Sequence, residues 1–300
     1  MAPADTTAHG SRTGRPEPET HDRLGGGADA VATSPSERRH IEEQSRPSAA
    51  LIHETIRAEG ESELRRTATA LLLSGFAAGL SMGFSLVVSG LLHARLPDAP
   101  WRELVVHLGY TVGFLVVVMG RQQLFTENTL TPVLPLLYHR DVATLLQVLR
   151  LWALVLAANI AGTAVFAAAI AHSGAFESDI QAAFAELSGA VFAHPFGVTF
   201  TRGLFAGWLI ALMVWMLPSA ETSRPFIIVA MTYVVGLGGL AHIIAGSVDA
   251  FYLVQIGAAT VQDYAVRFFL PTLAGNIIGG VALVAALNYG QVAHEVYPQK

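Results

Sequence analysis

The most constraining feature of this sequence is a long segment that carries almost no charge. Of the 41 Lys, Arg, Asp and Glu residues, 21 lie in residues 1–66 and only 20 in the 234 residues that follow. Soluble domains carry about 25% charged residues, so this segment has too few to cover a water-exposed surface. The sequence therefore predicts a polytopic membrane domain behind a polar N-terminal segment.

Six apolar stretches predict the fold of that domain. A membrane-spanning helix needs about 20 apolar residues, and four uninterrupted runs reach this length: 68–92, 151–171, 197–217 and 268–290. Two longer stretches, about 104–138 and 225–258, are interrupted by the polar motif at 121–128 and the glycine-rich motif at 236–242. We therefore expect an all-α membrane protein with six transmembrane helices, of which the second and fifth are broken.

Charged residues at the ends of these stretches predict their orientation. One set of flanks carries seven basic residues: Arg57, Arg65, Arg66, Arg140, Arg150, Arg224 and Lys300. The opposite flanks carry only Arg95, Arg102 and Arg267, and the loop at 172–193 has neither Arg nor Lys. Because basic residues are enriched on the cytoplasmic side, both termini are predicted to be cytoplasmic.

The sequence outside the apolar stretches divides into two ends. Residues 1–66 are predicted to be a polar cytoplasmic tail, largely disordered because 1–36 have few large apolar residues, followed by a charged helix. This tail is either a solvated extension or a regulatory element. The membrane domain is predicted at 67–293, and residues 294–300 form a cytoplasmic C-terminal end.

An internal repeat relates the two halves of the domain. The third and sixth spans share an Ala/Gly-rich pattern around Asn159 and Asn276, which are 117 residues apart. The same offset places Phe125 of the first break on His242 of the second. Three spans per half give the halves opposite orientations, so we expect an inverted 3+3 repeat whose broken helices meet near the midplane and form a transport site.

Four motifs then resemble the formate/nitrite transporter family. They are LFTEN at 124–128, RGLFAGWL at 202–209, GLAH at 239–242 and GNIIGG at 275–280, and they occur in the family's order. The resemblance spans about 68–290. The long polar N-terminal segment is similar to that of a poorly characterised branch of the family. The resemblance implies an aquaporin-like protomer, a homopentamer with one pore per protomer, and a location in the bacterial inner membrane. Its implied substrates are small monovalent weak-acid anions such as formate and nitrite, carried with or without protons.

The same resemblance assigns roles in the pore. His242 matches the family's central pore histidine, and Thr126 matches the threonine that hydrogen-bonds towards it. Four further positions belong to the expected pore lining: Leu124, Phe125, Tyr110 and Val235.

Three positions depart from the family pattern. The family's lysine before the fourth span falls near Val191, and His194 is the nearest basic substitute. Gly207 occupies the position of the usual asparagine, and Ala241 stands where formate channels have glutamate. These changes alter the electrostatics of the expected pore, so the identity of the anion stays open.

Several polar residues lie within or beside the predicted spans. Arg121, Glu127 and Arg202 are candidates for function because ionisable groups in a membrane are costly. They could equally pair as structural ion bridges, which we favour. Asn159 and Asn276 are expected to act as scaffold, with each amide tying a broken segment in place.

The chemistry expected of the pore follows from the cost of a charge in the membrane. An anion at the midplane costs at least a few kcal/mol, so the site must stabilise or discharge it. A histidine can do either, because it can donate a hydrogen bond or relay a proton. The predicted function is therefore a channel or secondary transporter in which His242 is a hydrogen-bond or proton donor.

Other functional classes have less support. A pore for water or neutral solutes remains possible, although the paired Asn-Pro-Ala signature of aquaporins is absent. A membrane sensor read out through the tail is a further alternative. An enzyme is not expected, because catalytic motifs such as His-Glu-x-x-His and Gly-x-Ser-x-Gly are missing. The absence of cysteine excludes thiolate metal sites, no cofactor is expected, and no basic cluster suggests nucleic acid.

Overall fold

The computed structural model describes residues 47–220, 222–286 and 290–291. The predicted disordered segment at 1–36 and the C-terminal end at 294–300 lie outside these residues. All regular secondary structure in the described part is helical, which confirms the all-α prediction. The α-helices are α1 (Ala49–Leu64), α2 (Ala68–Met82), α3 (Phe84–Arg95), α4 (Arg102–Met119), α5 (Val133–His139), α6 (Val142–His172), α7 (Ser178–Ser188), α8 (Phe196–Met216), α9 (Arg224–Leu237), α10 (Ala245–Gln255), α11 (Val261–Asp263) and α12 (Leu270–Ile278).

Shorter elements connect or extend these helices. Three 3₁₀ turns lie at Glu127–Thr129, Gly189–Phe192 and Leu217–Ser219. Two π-helical segments, Tyr264–Phe269 and Gly279–Ala286, flank α12.

Five helical segments of the described chain are long and apolar enough to cross a membrane. They are Ala68–Arg95, Arg102–Met119, Val142–His172, Phe196–Ser219 and Val261–Ala282, and α9 is a shorter apolar helix. Each of the six predicted stretches therefore overlaps described helices. Polar side chains begin several of these helices by accepting a backbone N–H: Ser48 caps α1, Thr67 caps α2 and Asp141 caps α6.

The interrupted stretches each contain two helices joined by irregular backbone. In the first, α4 ends at Met119 and α5 begins at Val133, with one 3₁₀ turn between them. In the second, α9 ends at Leu237 and α10 begins at Ala245. We call residues 120–132 the first loop and residues 238–244 the second loop.

Two glycines let pairs of helices cross at close range. A Cβ atom on Gly79 of α2 would lie 2.2 Å from the carbonyl oxygen of Asn159 on α6. A Cβ atom on Gly207 of α8 would lie 2.4 Å from the carbonyl oxygen of Asn276 on α12. Both distances are far below contact distance, so each crossing depends on the absence of a side chain.

Helix α1 packs onto the domain and is not only solvated. His53, Ile56, Gly60 and Leu64 form its buried side. A Cβ atom on Gly60 would lie 2.1 Å from the carbonyl oxygen of Thr131 in the first loop. The charged helix predicted from the sequence is therefore amphipathic and contacts one of the two loops directly.

Candidate functional site

The first loop is held by the side chain of Asn159, which is completely buried on α6. Its Oδ1 accepts a hydrogen bond from the backbone N–H of Phe125 at 2.9 Å. Its Nδ2 donates to the carbonyl oxygens of Gln123 at 2.9 Å and Gly75 at 2.7 Å. One amide thus joins α6, α2 and the irregular backbone, as expected for a scaffold residue.

The second loop is held in the same way by Asn276 on α12, which is also completely buried. Oδ1 of Asn276 accepts from the backbone N–H of Ile243 at 2.9 Å. Nδ2 donates to the carbonyl oxygens of Ala241 at 2.9 Å and Gly203 at 2.7 Å. Each asparagine therefore provides hydrogen-bond partners for one N–H and one carbonyl group of its loop, which lie outside regular helices.

These matched bonds differ by one residue from the offset read from the sequence. The sequence offset of 117 placed Phe125 on His242, but the hydrogen bonds pair Phe125 with Ile243, an offset of 118. The bonded residue of the second loop is therefore one residue closer to its asparagine in the chain than that of the first, with a separation of 33 residues rather than 34. The position that corresponds to His242 is Leu124.

His242 and Thr126 meet between the two loops, and both side chains are about 1% exposed. Nε2 of His242 lies 2.8 Å from Oγ1 of Thr126. Nδ1 accepts a hydrogen bond from the backbone N–H of Ala245 at 3.2 Å. Because a backbone N–H can only donate, Nδ1 carries no proton, and the neutral ring bears its proton on Nε2. That proton points to Oγ1 of Thr126, which leaves the threonine hydroxyl proton free to donate elsewhere.

A cavity of about 170 Å³, which we call the first cavity, is lined in part by His242. Tyr110 and Val235 line it, so the structure brings together three of the residues predicted from the resemblance. The ring of Phe114 packs edge-on against His242, with centroids 4.8 Å apart. Phe114 was not identified from the sequence, although its position one helical turn after Tyr110 on α4 was an available signal.

Three other predicted positions line the first cavity as well. Val191 and His194 both do so, which places the expected lysine position and its substitute in the same space. Arg202 lines it too, and its Nη1 donates to the carbonyl oxygen of Gly239 in the second loop at 3.0 Å. Gly239 has a φ of +56°, a backbone conformation that favours glycine.

A second cavity of about 530 Å³ is lined by residues of the first loop and of α1. Arg121 lines it and forms an ion pair with Glu59 of α1 at 3.2 Å. Gln123 of the first loop donates from Nε2 to Glu63 of α1 at 2.7 Å. Helix α1 is therefore bonded to two residues of the first loop that precede Thr126.

Glu127 also lines the second cavity. Its Oε1 is buried with no hydrogen-bond partner, and it forms no ion pair within the described residues. The ion-bridge interpretation therefore fits Arg121, which pairs with α1, but it does not fit Glu127 or Arg202.

Leu124 and Phe125 are buried in the first loop, with 0% and 1% exposure, and line neither cavity. The Phe125 ring packs edge-on against Trp152 of α6 at 5.9 Å. The indole N–H of Trp152 in turn donates to the carbonyl oxygen of Asn128 at 2.7 Å. These contacts pack the first loop, which carries Thr126, against α6.

Comparison with protein families places this geometry in a known group. The sequence profile of the formate/nitrite transporter family matches residues 50–290, which contain every residue of the site. The chain belongs to the formate/nitrite transporter family.

Relatives and solved structures agree with this assignment. The chain is 42% identical to the inner membrane protein YfdC of Escherichia coli strain K12 over 257 residues, which cover 85% of this chain and 83% of YfdC. It is 28% identical to the formate channel BtFdhC of Bacillus thuringiensis over 246 residues, or 78% of this chain and 91% of that protein. These relatives are named as a membrane protein and a channel. Their names support the prediction that this protein is not an enzyme.

Two solved structures share the fold. A pentameric formate channel with formate bound has a TM-score of 0.63 and 22% identity, covering 77% of this chain and 98% of the channel. An FNT family ion channel has a TM-score of 0.70 and 18% identity, covering 80% and 98%.

Proposed function

We propose that this protein is a channel or secondary transporter for small monovalent weak-acid anions of the formate and nitrite type. The observation that carries the proposal is the hydrogen bond between Thr126 and His242, which lines the first cavity. This pair offers a hydroxyl donor next to the apolar ring of Phe114. An anion that reaches it gains a hydrogen bond at the point where dehydration costs most.

The same pair can discharge the anion. In one concerted relay the Thr126 hydroxyl proton passes to the anion, the Nε2 proton passes to the threonine oxygen, and a hydronium ion in the cavity returns a proton to the ring, so that one proton from solution accompanies each anion. The neutral acid then crosses the dry section formed by the first loop. This route predicts uptake that increases with acidity, because protons accompany the anion.

We propose that the fold behind this site is an aquaporin-like six-helix protomer with an inverted 3+3 repeat. The second helix would be broken at the first loop and the fifth at the second loop. The identical bonding of Asn159 and Asn276 supports this arrangement, since two halves of one repeat place equivalent amides at equivalent loops. Interrupted helices that meet at a substrate site are typical of such repeats.

We further propose a homopentamer in the bacterial inner membrane with both termini cytoplasmic. The pentameric formate channel of similar fold supports the assembly, and the inner membrane protein YfdC supports the location. The proposed domains are the tail at 1–66, the pore domain at 67–293 and the end at 294–300.

One observation favours a second role for the N-terminal region. The bonds from Glu59 to Arg121 and from Glu63 to Gln123 connect α1 to the loop that carries Thr126. A tail that pulled on α1 would therefore act on the pore, so the tail could report the state of the membrane domain or set it.

Uptake measurements test the main proposal. Proteoliposomes containing the full chain are given formate or nitrite at pH 5.5 and 7.5, with His242→Ala as the variant and His107→Ala as the matched control. His107 also lines the first cavity but does not contact Thr126. We expect acid-enhanced uptake in the wild type and the control, and its loss in His242→Ala. Uptake that is independent of His242 would refute the assigned role.

A further inference from the structure

The first cavity contains one permanent positive charge and one carboxyl group among its lining residues, Arg202 and Asp249. Arg202 projects from α8, and within the described residues no carboxylate lies within ion-pair distance of it. Arg121, the other arginine considered above, differs because it forms an ion pair with Glu59 at 3.2 Å. An unneutralised guanidinium within a membrane domain is costly unless an anion uses it.

The guanidinium of Arg202 is only partly engaged. A guanidinium has five N–H donors, and the described residues offer one acceptor, the carbonyl oxygen of Gly239 at 3.0 Å from Nη1. None of its nitrogens is both buried and unpaired, so the remaining N–H groups are accessible, and Arg202 lines the first cavity. The donor set is therefore available to an occupant of the first cavity.

We propose that Arg202 binds the anion in the first cavity before it reaches His242, and that it selects planar anions with two oxygen atoms. A guanidinium matches such anions through two parallel N–H···O bonds, which compact anions without paired oxygens cannot form. Carboxylates and nitrite have the required shape, whereas hydrosulfide does not. This inference rests on the proposed function and deepens it, because it assigns the selectivity to one residue.

Asp249 allows a test of whether charge in the first cavity controls anion binding. Its carboxyl group lines the same cavity as Arg202, yet the two do not form an ion pair within 4 Å. A negative charge there opposes the anion that Arg202 attracts. Removing that charge should strengthen anion binding, whereas removing the charge of Arg202 should weaken it.

A purely structural role for Arg202 makes a different prediction. The bond to the Gly239 carbonyl helps to hold the second loop, which carries His242. Loss of that support alone would reduce the maximal flux of every anion equally and would lower the thermal midpoint. It would not change selectivity between anions or the dependence on ionic strength.

The experiment compares formate with hydrosulfide in proteoliposomes of the full chain. For Arg202→Gln we expect the KM for formate to rise about tenfold, a much smaller rise for hydrosulfide, and loss of the increase in KM with ionic strength. Arg202→Lys should restore hydrosulfide but only part of the formate affinity, and Asp249→Asn should lower both KM values. Arg95→Gln is the matched control, because Arg95 is exposed and pairs with Glu177 outside the cavity.

A binding measurement separates this inference from the proposed function. Formate should raise the thermal midpoint of the detergent-solubilised wild type and of Arg95→Gln, but not of Arg202→Gln. Binding without transport would refute the transport function and support the role of Arg202. Transport with unchanged selectivity in Arg202→Gln would overturn that role alone, and neither binding nor transport of formate in the wild type would overturn both.

Discussion

Replacing Asn276 with alanine tests whether a single amide holds the second loop. The change removes three hydrogen bonds of 2.7 to 2.9 Å, to the N–H of Ile243 and to the carbonyl oxygens of Ala241 and Gly203. The side chain is completely buried, so water cannot replace it without a new cavity. The two loop groups that lose their partners flank His242 directly.

The magnitude follows from the number of bonds. Side-chain hydrogen bonds contribute about 0.6 kcal/mol on average in a membrane protein and about 0.5–1.5 kcal/mol in soluble proteins. Three bonds therefore give a loss of about 2–4 kcal/mol in the free energy of unfolding. At roughly 2–4 °C per kcal/mol for a domain of this size, the thermal midpoint should fall by about 4–15 °C.

The assay is the thermal midpoint of the detergent-solubilised protein at one fixed heating rate, because membrane proteins often unfold irreversibly. Asn159→Ala should lower the thermal midpoint by a similar amount, since Asn159 makes three equivalent bonds in the first loop and α2. Thr163→Val is the control, because Thr163 is equally buried but donates only to the carbonyl of Ile160 in its own helix. A drop in Asn276→Ala no larger than in this control would refute the reasoning.

Three further predictions concern the helix crossing, the central pair and α1. Gly207→Ala should destabilise the protein and disturb the pore, because its Cβ would meet the Asn276 carbonyl, whereas Gly197→Ala has no atom within 4 Å and should be neutral or stabilising in the same thermal assay. Thr126→Val should abolish anion uptake while Thr126→Ser retains most of it, because only the serine keeps a hydroxyl beside the central imidazole; equal fluxes in the two variants would contradict the mechanism. Burial lowers the pKa of His53 below 6.5, outweighing the Glu54 bond that raises it. The neutral ring is therefore favoured when α1 is docked, and this stabilisation is complete above pH 6.5 and is lost as the pH falls through the lowered pKa. Protection factors for hydrogen exchange in α1, which correct for the intrinsic pH dependence of exchange, should accordingly fall in acid, and His53→Gln should remove that fall.

Much of this fold could be predicted from the sequence because membrane spans have a fixed length and a simple composition. The positions of the apolar stretches follow from that rule, each overlaps described helices, and irregular backbone lies at the two polar or glycine-rich motifs within the longer stretches. The paired pattern around Asn159 and Asn276 identified the two scaffold amides, because a buried amide in an apolar helix needs partners. Periodicity alone could not give the register of the loops, since a difference of one residue in the spacing between each loop and its asparagine is invisible to an offset measured between helices.

Other features depend on tertiary contacts that leave little trace in the sequence. The charged composition of α1 predicted a helix but not its buried side or the contact of Gly60 with Thr131. Ion pairing among Arg121, Glu127 and Arg202 was favoured because charges in apolar stretches usually pair. Only the spatial arrangement reveals that Glu59 of α1 takes one of them and leaves the other two without a carboxylate or guanidinium partner among the described residues.

The geometry of the central pair explains why irregular backbone is needed at this position. Asn276 bonds the residues immediately before and after His242, and Asn159 bonds the residue immediately before Thr126. Each loop thus offers free N–H and carbonyl groups for its amide to hold, which an unbroken helix would have consumed internally. The first N–H of α10, at Ala245, is one of the groups a helix leaves unpaired, and it selects the tautomer of the imidazole. The 2.8 Å separation between imidazole and hydroxyl is therefore set by two amides and one helix end, so loss of either amide should impair transport before it unfolds the protein.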